Sequence, residues 1–369
     1  MKLQAVELVR VRMPLVRPFR TSFGVQEGRH VLLVRVITDV AEGWGECVSG
    51  DVPSYNEEWA DGSEQVVRRW LAPALFALPS LDSARVLPSL GHIRGHRMAK
   101  AALESAVLDA ELRAAGLPMA AFLGGVRDRV EAGVSVGITG TVGELLDVVA
   151  GYLDEGYRRI KLKIEPGWDV EPLRAVRERF GDGLALQVDA NTAYQRADLP
   201  HLLRLDEFGL LLVEQPFEPR DLAAHAELAR RGSTPVCLDE SIESAADAAT
   251  AITAGACDIV NIKAGRVGGF LEARRVHDVC QAHGVPVWCG GMLETGVGRA
   301  GNVALASLPG FTLPGDISAS RRYYETDVTE PFAVVDGHLR VLAGPGLGVT
   351  VRDGLLAELG AVRDTLRAV

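Results

Sequence analysis

Lys163, Asp189, Glu214, Asp239 and Lys263 follow one another at intervals of 26, 25, 25 and 24 residues. A desolvated lysine can serve as a base, and gathered carboxylates are ligands for a hard divalent cation. Lysine, three carboxylates and lysine around one site suit the removal of a proton next to a carboxylate. The charge that develops is then held by a metal and by ammonium groups.

Each of these residues stands near the end of a short apolar run: IKLKI, LALQVDA, LLLVEQP, PVCLDES and DIVNIKA. A helix-like stretch follows each run. One strand, one helix and two turns take roughly 25 residues, so the interval is that of a βα repeat. Charged residues at the same end of successive parallel strands mark the C-terminal mouth of a barrel. The alternation begins near Arg129 with EAGVSVGI and continues through PVWCGGM to FTLPGDI. That makes about eight strands, enough to close a barrel. Thr141 and Glu144 read as a capping box opening the first of its helices.

The chain ahead of the barrel reads as α+β. Two alternating runs, 3–13 and 30–38, are joined by the turn-rich PFRTSFGVQEG, and helical sequence is expected from about Tyr55. The Ala-rich stretch 96–115 is a helix that stops at Gly116, with Lys100 and Glu104 spaced to pair along one face. After Arg321 the alternation is lost. YYETDVTEPFAVVDGHLRV suggests paired strands, and this tail is too short to fold alone. The expected fold is α/β, with a capping domain over 1–127, a barrel over 128–321, and a return of 322–369 to the capping domain.

The chain has 369 residues, of which 47% are hydrophobic and 24% charged. The net charge of −10 and the absence of basic runs exclude a nucleic-acid partner. Five scattered cysteines without C-x-x-C suit reduced thiols in a cytoplasm. No run approaches the roughly 18 apolar residues of a membrane helix, and no secretory signal core is present.

Three unpaired carboxylates side by side would repel, and Mg²⁺ relieves this while leaving positions for substrate. The alternative for each is a helix cap. Asn191 and Glu240 flank two of the three and could support them from behind. Lys161 and Lys163 are two apart on a strand and share a face, with Leu162 and Ile164 turned to the helices. One of two neighbouring buried lysines should lose its proton more readily than a free lysine. Lys263 lies four strands on, across the mouth. With the metal, the site is net positive and suited to an anion that gains charge.

The runs KLK, VDAN, EQP, DES and NIK, in this order, resemble the enolase superfamily in its muconate-lactonizing subgroup. Further segments, among them PFRTSFG, GWGECV, GHRMAKAALE, SVGI, GGMLETG, LASLPGFTLPGD and PGLGV, are similar to o-succinylbenzoate synthases. The similarity is to the actinobacterial type also called N-acylamino acid racemases. The resemblance spans nearly the whole chain. It implies a modified TIM barrel, (β/α)7β, with an α+β capping domain. It implies Mg²⁺, with Mn²⁺ or Co²⁺ as substitutes, on Asp189, Glu214 and Asp239. Lys163 and Lys263 become the acid/base pair, and Lys161 contacts the metal-bound carboxylate of a small carboxylate substrate. Ser135, Gly291, Met292, Leu293 and Asp316 would line the pocket, closed by Phe19, Phe23 and Tyr55 from the capping domain. A cytoplasmic homo-oligomer, dimer to octamer, is the expected assembly.

The implied reaction is syn-dehydration of 2-succinyl-6-hydroxy-2,4-cyclohexadiene-1-carboxylate through an enediolate, in menaquinone synthesis. Racemisation of N-acyl or N-succinyl amino acids is the alternative, since both begin with loss of the same kind of proton. No histidine follows the seventh strand as the mandelate-racemase branch requires. The run Gly315-Asp316-Ile317-Ser318 lacks the Asp-x-Asp of dipeptide epimerases, and GGMLETG disfavours muconate cycloisomerase. Phe19 and Phe23 fit either a lid or plain core. Gly268-Gly269 is a turn rather than a phosphate loop. A non-catalytic repeat scaffold would need a repeated frame, which is absent.

Overall fold

The computed structural model describes residues 1–368. β1 (Leu3–Thr21) and β2 (Gly24–Thr38) form one long antiparallel hairpin, paired from Leu3 with Thr38 to Thr21 with Gly24. The expected connecting loop is therefore mostly strand: Phe19 pairs with Gln26 and Arg20 with Val25, and only Ser22 and Phe23 turn. The register slips between Pro14 and Phe19, where Pro14 and Pro18 have no N–H to give to a ladder.

β3 (Glu42–Cys47) joins the other edge of β2. Its Gly43 and Gly45 have no room for a side chain. A Cβ on either would strike the backbone of Ala106 or Ala102 in the helix Arg97–Ala115. Glycine here lets that helix lie directly on the strand. The helix ends at Gly116, which takes the left-handed conformation (φ 68°) that glycine adopts without strain.

Two expectations for this region fail. The helix anticipated from Tyr55 begins at Ala60, because the Asn56 side chain accepts from Glu58 N (3.0 Å) and forms a local turn instead. The Lys100–Glu104 pair does not form either. Lys100 turns to Ile93 O. Glu104 is fully buried and accepts from Phe270 N (3.0 Å) and Leu271 N (2.9 Å). The helix Phe270–Ala282 has Gly269 at its N-cap, with no side chain to satisfy its first N–H groups, so Glu104 serves as the cap from elsewhere in the chain.

β4 (Arg129–Glu131) precedes a parallel sheet of seven strands. These are β5 (Gly133–Val136), β6 (Arg159–Lys163), β7 (Ala185–Asp189), β8 (Val213–Glu214), β9 (Val236–Leu238), β10 (Ile259–Ile262) and β11 (Val287–Cys289). They are hydrogen-bonded in sequential order, with helices between successive strands. The expected eighth strand is not continuous: Phe311 bridges to Val287 and Gly315 to Ala132. Gly133 N donates to Gly315 O (2.7 Å) and Asp316 N to Cys289 O (2.8 Å), so segment 311–316 closes the curve. Pro314 has no N–H and interrupts the ladder there. The protein is an α/β barrel of the modified (β/α)7β kind, accompanied by a separate antiparallel sheet with its own helices.

The helix Val142–Asp154 is capped by Thr141 Oγ1, which accepts from Glu144 N (3.2 Å). Glu144 turns to Gly140 N (2.9 Å) rather than back to Thr141, so only half of the capping box forms.

The tail forms less strand than its composition suggests. β12 (His338–Arg340) pairs with β4, while 322–334 is irregular. Pro331 breaks it, and Asp327 is committed to Gly296 N (2.8 Å) and Ser320 Oγ (2.5 Å). β13 (Val362–Arg367) pairs antiparallel with β1, which gives the sheet order β13-β1-β2-β3. All five cysteines are free and buried. Among the described residues no helix is long and apolar enough to cross a membrane.

Candidate active site

Side chains alternate along β6, so Arg159, Lys161 and Lys163 share one face and Ile160 and Leu162 the other. All five are buried. The apolar pair meets the surrounding helices, and the three cations enter the barrel. In register, Lys163 pairs with Asp189 and Asp189 with Glu214. β7, β8 and β9 separate β6 from β10, so Lys163 and Lys263 stand across the mouth from each other.

Lys161 Nζ lies 3.0 Å from Asp189 Oδ2, 2.9 Å from Glu214 Oε2 and 2.5 Å from Asp316 Oδ2. Lys163 Nζ lies 2.6 Å from both Asp189 Oδ2 and Asn191 Oδ1. Asn191 Nδ2 in turn donates to Glu240 Oε1 (3.0 Å). Lys263 Nζ bonds Asp239 Oδ2 (2.6 Å) and stands 4.6 Å from the centre of the Tyr55 ring. Tyr55 Oη donates to Asp239 Oδ1 (3.1 Å).

The lysines are not equivalent. Burial pushes Lys163 below the ordinary lysine value, Asp189 opposes this, and Lys161 adds to it. Burial acts the same way on Lys161 and Lys263. For Lys161, Asp316, Glu214 and Asp189 more than offset it; for Lys263, Tyr55, Glu240 and Glu214 do so. Both of those ammonium groups are raised well above the usual range. Burial also works against charge on Asp189, yet Lys163 and Lys161 hold it well below a normal carboxylate. Glu240 is pushed up to about 7 by burial and by Asp189.

A small, partly open cavity of about 70 Å³ lies over this cluster. Its walls include Lys163, Lys263 and Asn191 from the barrel, Gly291, Met292 and Leu293 after β11, and Phe19, Phe23 and Tyr55. Larger grooves of about 660 and 440 Å³ lie elsewhere. Neither carries any of the paired lysines and carboxylates, so the small cavity is the chemical one. Phe19 is buried and packs edge-on against Tyr323, whereas Phe23 is 38% exposed. Phe19 is thus both core and cavity wall, and Phe23 is wall alone.

The structure does not bring Ser135 or Asp316 to the wall of this cavity. Ser135 sits beside Lys161 in register, and its buried Oγ has no partner. Asp316 is held by Arg159 Nη1 (2.6 Å) and Lys161 from below. Among the described residues no group of three or more His, Cys, Asp or Glu side chains is close enough together to hold a metal ion. Asp189, Glu214 and Asp239 are engaged instead by ammonium and guanidinium groups.

Several participants are not evident from the sequence. Asn261 Nδ2 donates to Glu214 Oε1 (2.6 Å), and Arg266 bonds Asp239 and Asn261 O. Strand alternation could have found Arg159 and Asn261, since each lies two residues before a lysine of the site and shares its face. Arg266 follows the strand, where an arginine reads as helix surface. Gly290 also has a reason: a Cβ there would lie 2.7 Å from Lys263 Cε. Asn191, Thr192, Gln215 and Leu293 all have positive φ, so backbone strain gathers at the mouth.

Residues 144–355 match the enolase C-terminal domain-like family, and residues 4–124 match the N-terminal domain of mandelate racemase and muconate lactonizing enzyme. An N-succinylamino acid racemase from Amycolatopsis is 67% identical over 97% of this chain and 98% of its own. An o-succinylbenzoate synthase from Geobacillus kaustophilus is 48% identical over 95% of this chain and 93% of its own. A solved enolase-superfamily member from Listeria innocua superposes with a TM-score of 0.95 at 36% identity, covering 100% of this chain and 99% of that one. With the mouth of charged strand ends, the covering hairpin and these matches all in agreement, the chain belongs to the enolase superfamily.

Proposed function

We propose that this enzyme is an o-succinylbenzoate synthase, acting in menaquinone synthesis, that also racemises N-succinylamino acids. The observation that carries this is the pair Lys163 and Lys263, which enter one cavity from opposite sides of the barrel mouth. Relatives named for each of the two reactions support both halves of the reading. A dedicated racemase is the second reading, favoured by the 67% identity to the Amycolatopsis protein.

By donor chemistry Asp189, Glu214 and Asp239 would suit a hard divalent cation, once they turn from the ammonium and guanidinium groups that now separate them. They are oxygen donors at the ends of three adjacent strands, and each already holds a cationic side chain: Asp189 and Glu214 hold Lys161, and Asp239 holds Lys263. Glu240 Oε2 and Asn261 Oδ1 are buried without partners beside them. Mg²⁺, when bound there, supplies a Lewis acid for the substrate carboxylate.

Lys163 removes the α-proton. Asp189 and Asn191 fix the direction of its Nζ, and the apolar hairpin over the cavity limits access of water. Lys161 stays charged and balances the growing negative charge on the carboxylate. In dehydration the same Lys163 returns its proton to the departing hydroxyl on the same face. Lys263, held charged by Tyr55, Glu240 and Glu214, remains a stabilising cation. In racemisation Lys263 delivers a proton to the opposite face, and the roles reverse for the other enantiomer.

The test is proton exchange of an N-succinylamino acid in D₂O. Lys163→Ala should still exchange one enantiomer and Lys263→Ala the other, while neither racemises. Lys163→Ala should also abolish dehydration. Lys263→Arg keeps the charge but is a poor base, so it should retain more synthase than racemase activity. Loss of exchange for both enantiomers in both alanine variants would refute the two-face assignment.

A further inference from the structure

The turn Ser320–Arg322 and the two tyrosines after it touch two walls of the cavity, Leu293 and the Phe19 arm, and the barrel strand β5 beside them. Tyr324 Oη donates to Leu293 O (2.6 Å). Tyr323 O accepts from Val16 N (2.9 Å), and the Tyr323 ring meets Phe19 edge-on with centroids 6.4 Å apart. Arg322 Nη2 donates to Ser135 O on β5 (2.9 Å).

The Arg322 guanidinium carbon is 5.6 Å from the centre of the Phe19 ring, 5.1 Å from Tyr152 and 5.0 Å from Tyr323. Its Nε is buried with no hydrogen-bond partner. The nearby Glu155 is taken by Arg321 instead (3.1 Å). A half-buried guanidinium held chiefly by ring faces is an orienting contact, because a charge without an ionic partner adds little stability on its own. One of the three rings is on the hairpin arm, and the backbone acceptor is on the barrel wall. The same arm docks again close by: Ile138 N donates to Arg20 O (3.0 Å). Gly137 leaves the room, since a Cβ there would lie 2.7 Å from Arg20 O.

We propose that Arg322 is a positioning residue that sets acyl-group selectivity, by clamping the Phe19 arm of the hairpin, which lines the cavity, against strand β5 of the barrel beside it. This rests on the functional reading above, because it concerns substrates bound in that cavity. If the arm is closed only part of the time, KM rises by the inverse of the closed fraction, while turnover of bound substrate is preserved. A long acyl group that reaches the Phe19 wall is affected more than a short one.

The experiment uses Arg322→Met and Arg322→Lys. For racemisation of N-succinylphenylalanine, Arg322→Met should raise KM about 10-fold with kcat within about 2-fold. For N-acetylphenylalanine the rise should stay under about 3-fold. Arg322→Lys should recover part of the loss. Without any substrate, hydrogen exchange of the backbone over residues 16–25 should quicken in Arg322→Met and leave the barrel strands unchanged. Should Arg322→Met fail to fold, Phe19→Leu removes the same contact with the cation intact and should loosen the same residues.

Unchanged exchange over 16–25 would overturn the clamp whatever the substrate. Faster exchange throughout the barrel would make Arg322 merely structural and also overturn it. A fall in kcat at unchanged KM, or equal rises in KM for both acyl groups, would overturn the selectivity role. Inactivity of the unaltered enzyme on both reactions would instead refute the functional reading, with the exchange result still deciding the clamp.

Discussion

Glu104 provides a sharp test of how the helix Arg97–Ala115 is joined to the barrel. Its carboxyl is fully buried, caps the helix Phe270–Ala282, and is pushed up from 4.5 to about 7, chiefly by burial and against the pull of its two backbone donors. Between those two values the folded protein keeps a proton that the unfolded chain has released. Stability attributable to Glu104 is therefore full at low pH and falls as pH rises through this window. The displacement corresponds to roughly 3 kcal/mol. Glu104→Gln removes the titration and loses one acceptor, which costs about 1 kcal/mol at every pH. The variant should be slightly less stable than the parent near pH 5. Near pH 8 it should be more stable, by roughly 2 kcal/mol, the difference of those two contributions. Urea unfolding of both proteins at several pH values measures this, and other titrating groups cancel in the comparison. A constant difference across pH, or a variant that worsens as pH rises, would refute it. The latter would mean that the helix N-terminus stabilises the carboxylate more than burial penalises it.

Other outcomes follow from the site. Removing divalent metal with a strong chelator should abolish activity, and Mg²⁺ or Mn²⁺ should restore it. Asp239→Asn should weaken metal binding measured by titration calorimetry, because an anionic ligand is lost. Phe23→Ala should raise KM with a stability change under about 1 kcal/mol, because Phe23 is 38% exposed. Phe19→Ala should cost about 3 kcal/mol or more in chemical unfolding, because Phe19 is buried against Tyr323.

The barrel was legible because charge inside apolar runs is costly in a core, and its return at a fixed interval places it at one common end of parallel strands. The facing of Lys161 and Lys163 followed from strand alternation, and the stop at Gly116 from its conformational freedom. What stayed hidden depends on contacts distant in sequence. Glu104 looked like the partner of Lys100, but the N–H groups it caps lie 166 and 167 residues away. Glu46 is hidden in the same way: it takes Thr295 N (3.0 Å) and Arg29 Nη1 (2.9 Å). The hairpin extension was masked by Pro14, Pro18 and the glycines, which read as a loop although the chain pairs across them. The irregular tail was misread because its apolar residues are buried singly against the barrel rather than in a ladder.

The seam at 311–316 divides the barrel unequally. From β6 to β10 the strands are joined by consecutive ladders, and every proposed ligand and both paired lysines stand at the last residue of one of these strands or the residue just after it. On the other side the curve is closed by isolated bridges, and the cavity walls there come from the GGML run and the hairpin arm, with the 320–324 segment packed behind them. Altered or inserted residues on that side need not disturb the register of the ionic half. The architecture thus has a fixed engine and an adjustable aperture in separate parts of one ring. New substrates are reached most readily by changing the aperture, and this is how two reactions with a common first step can share one scaffold.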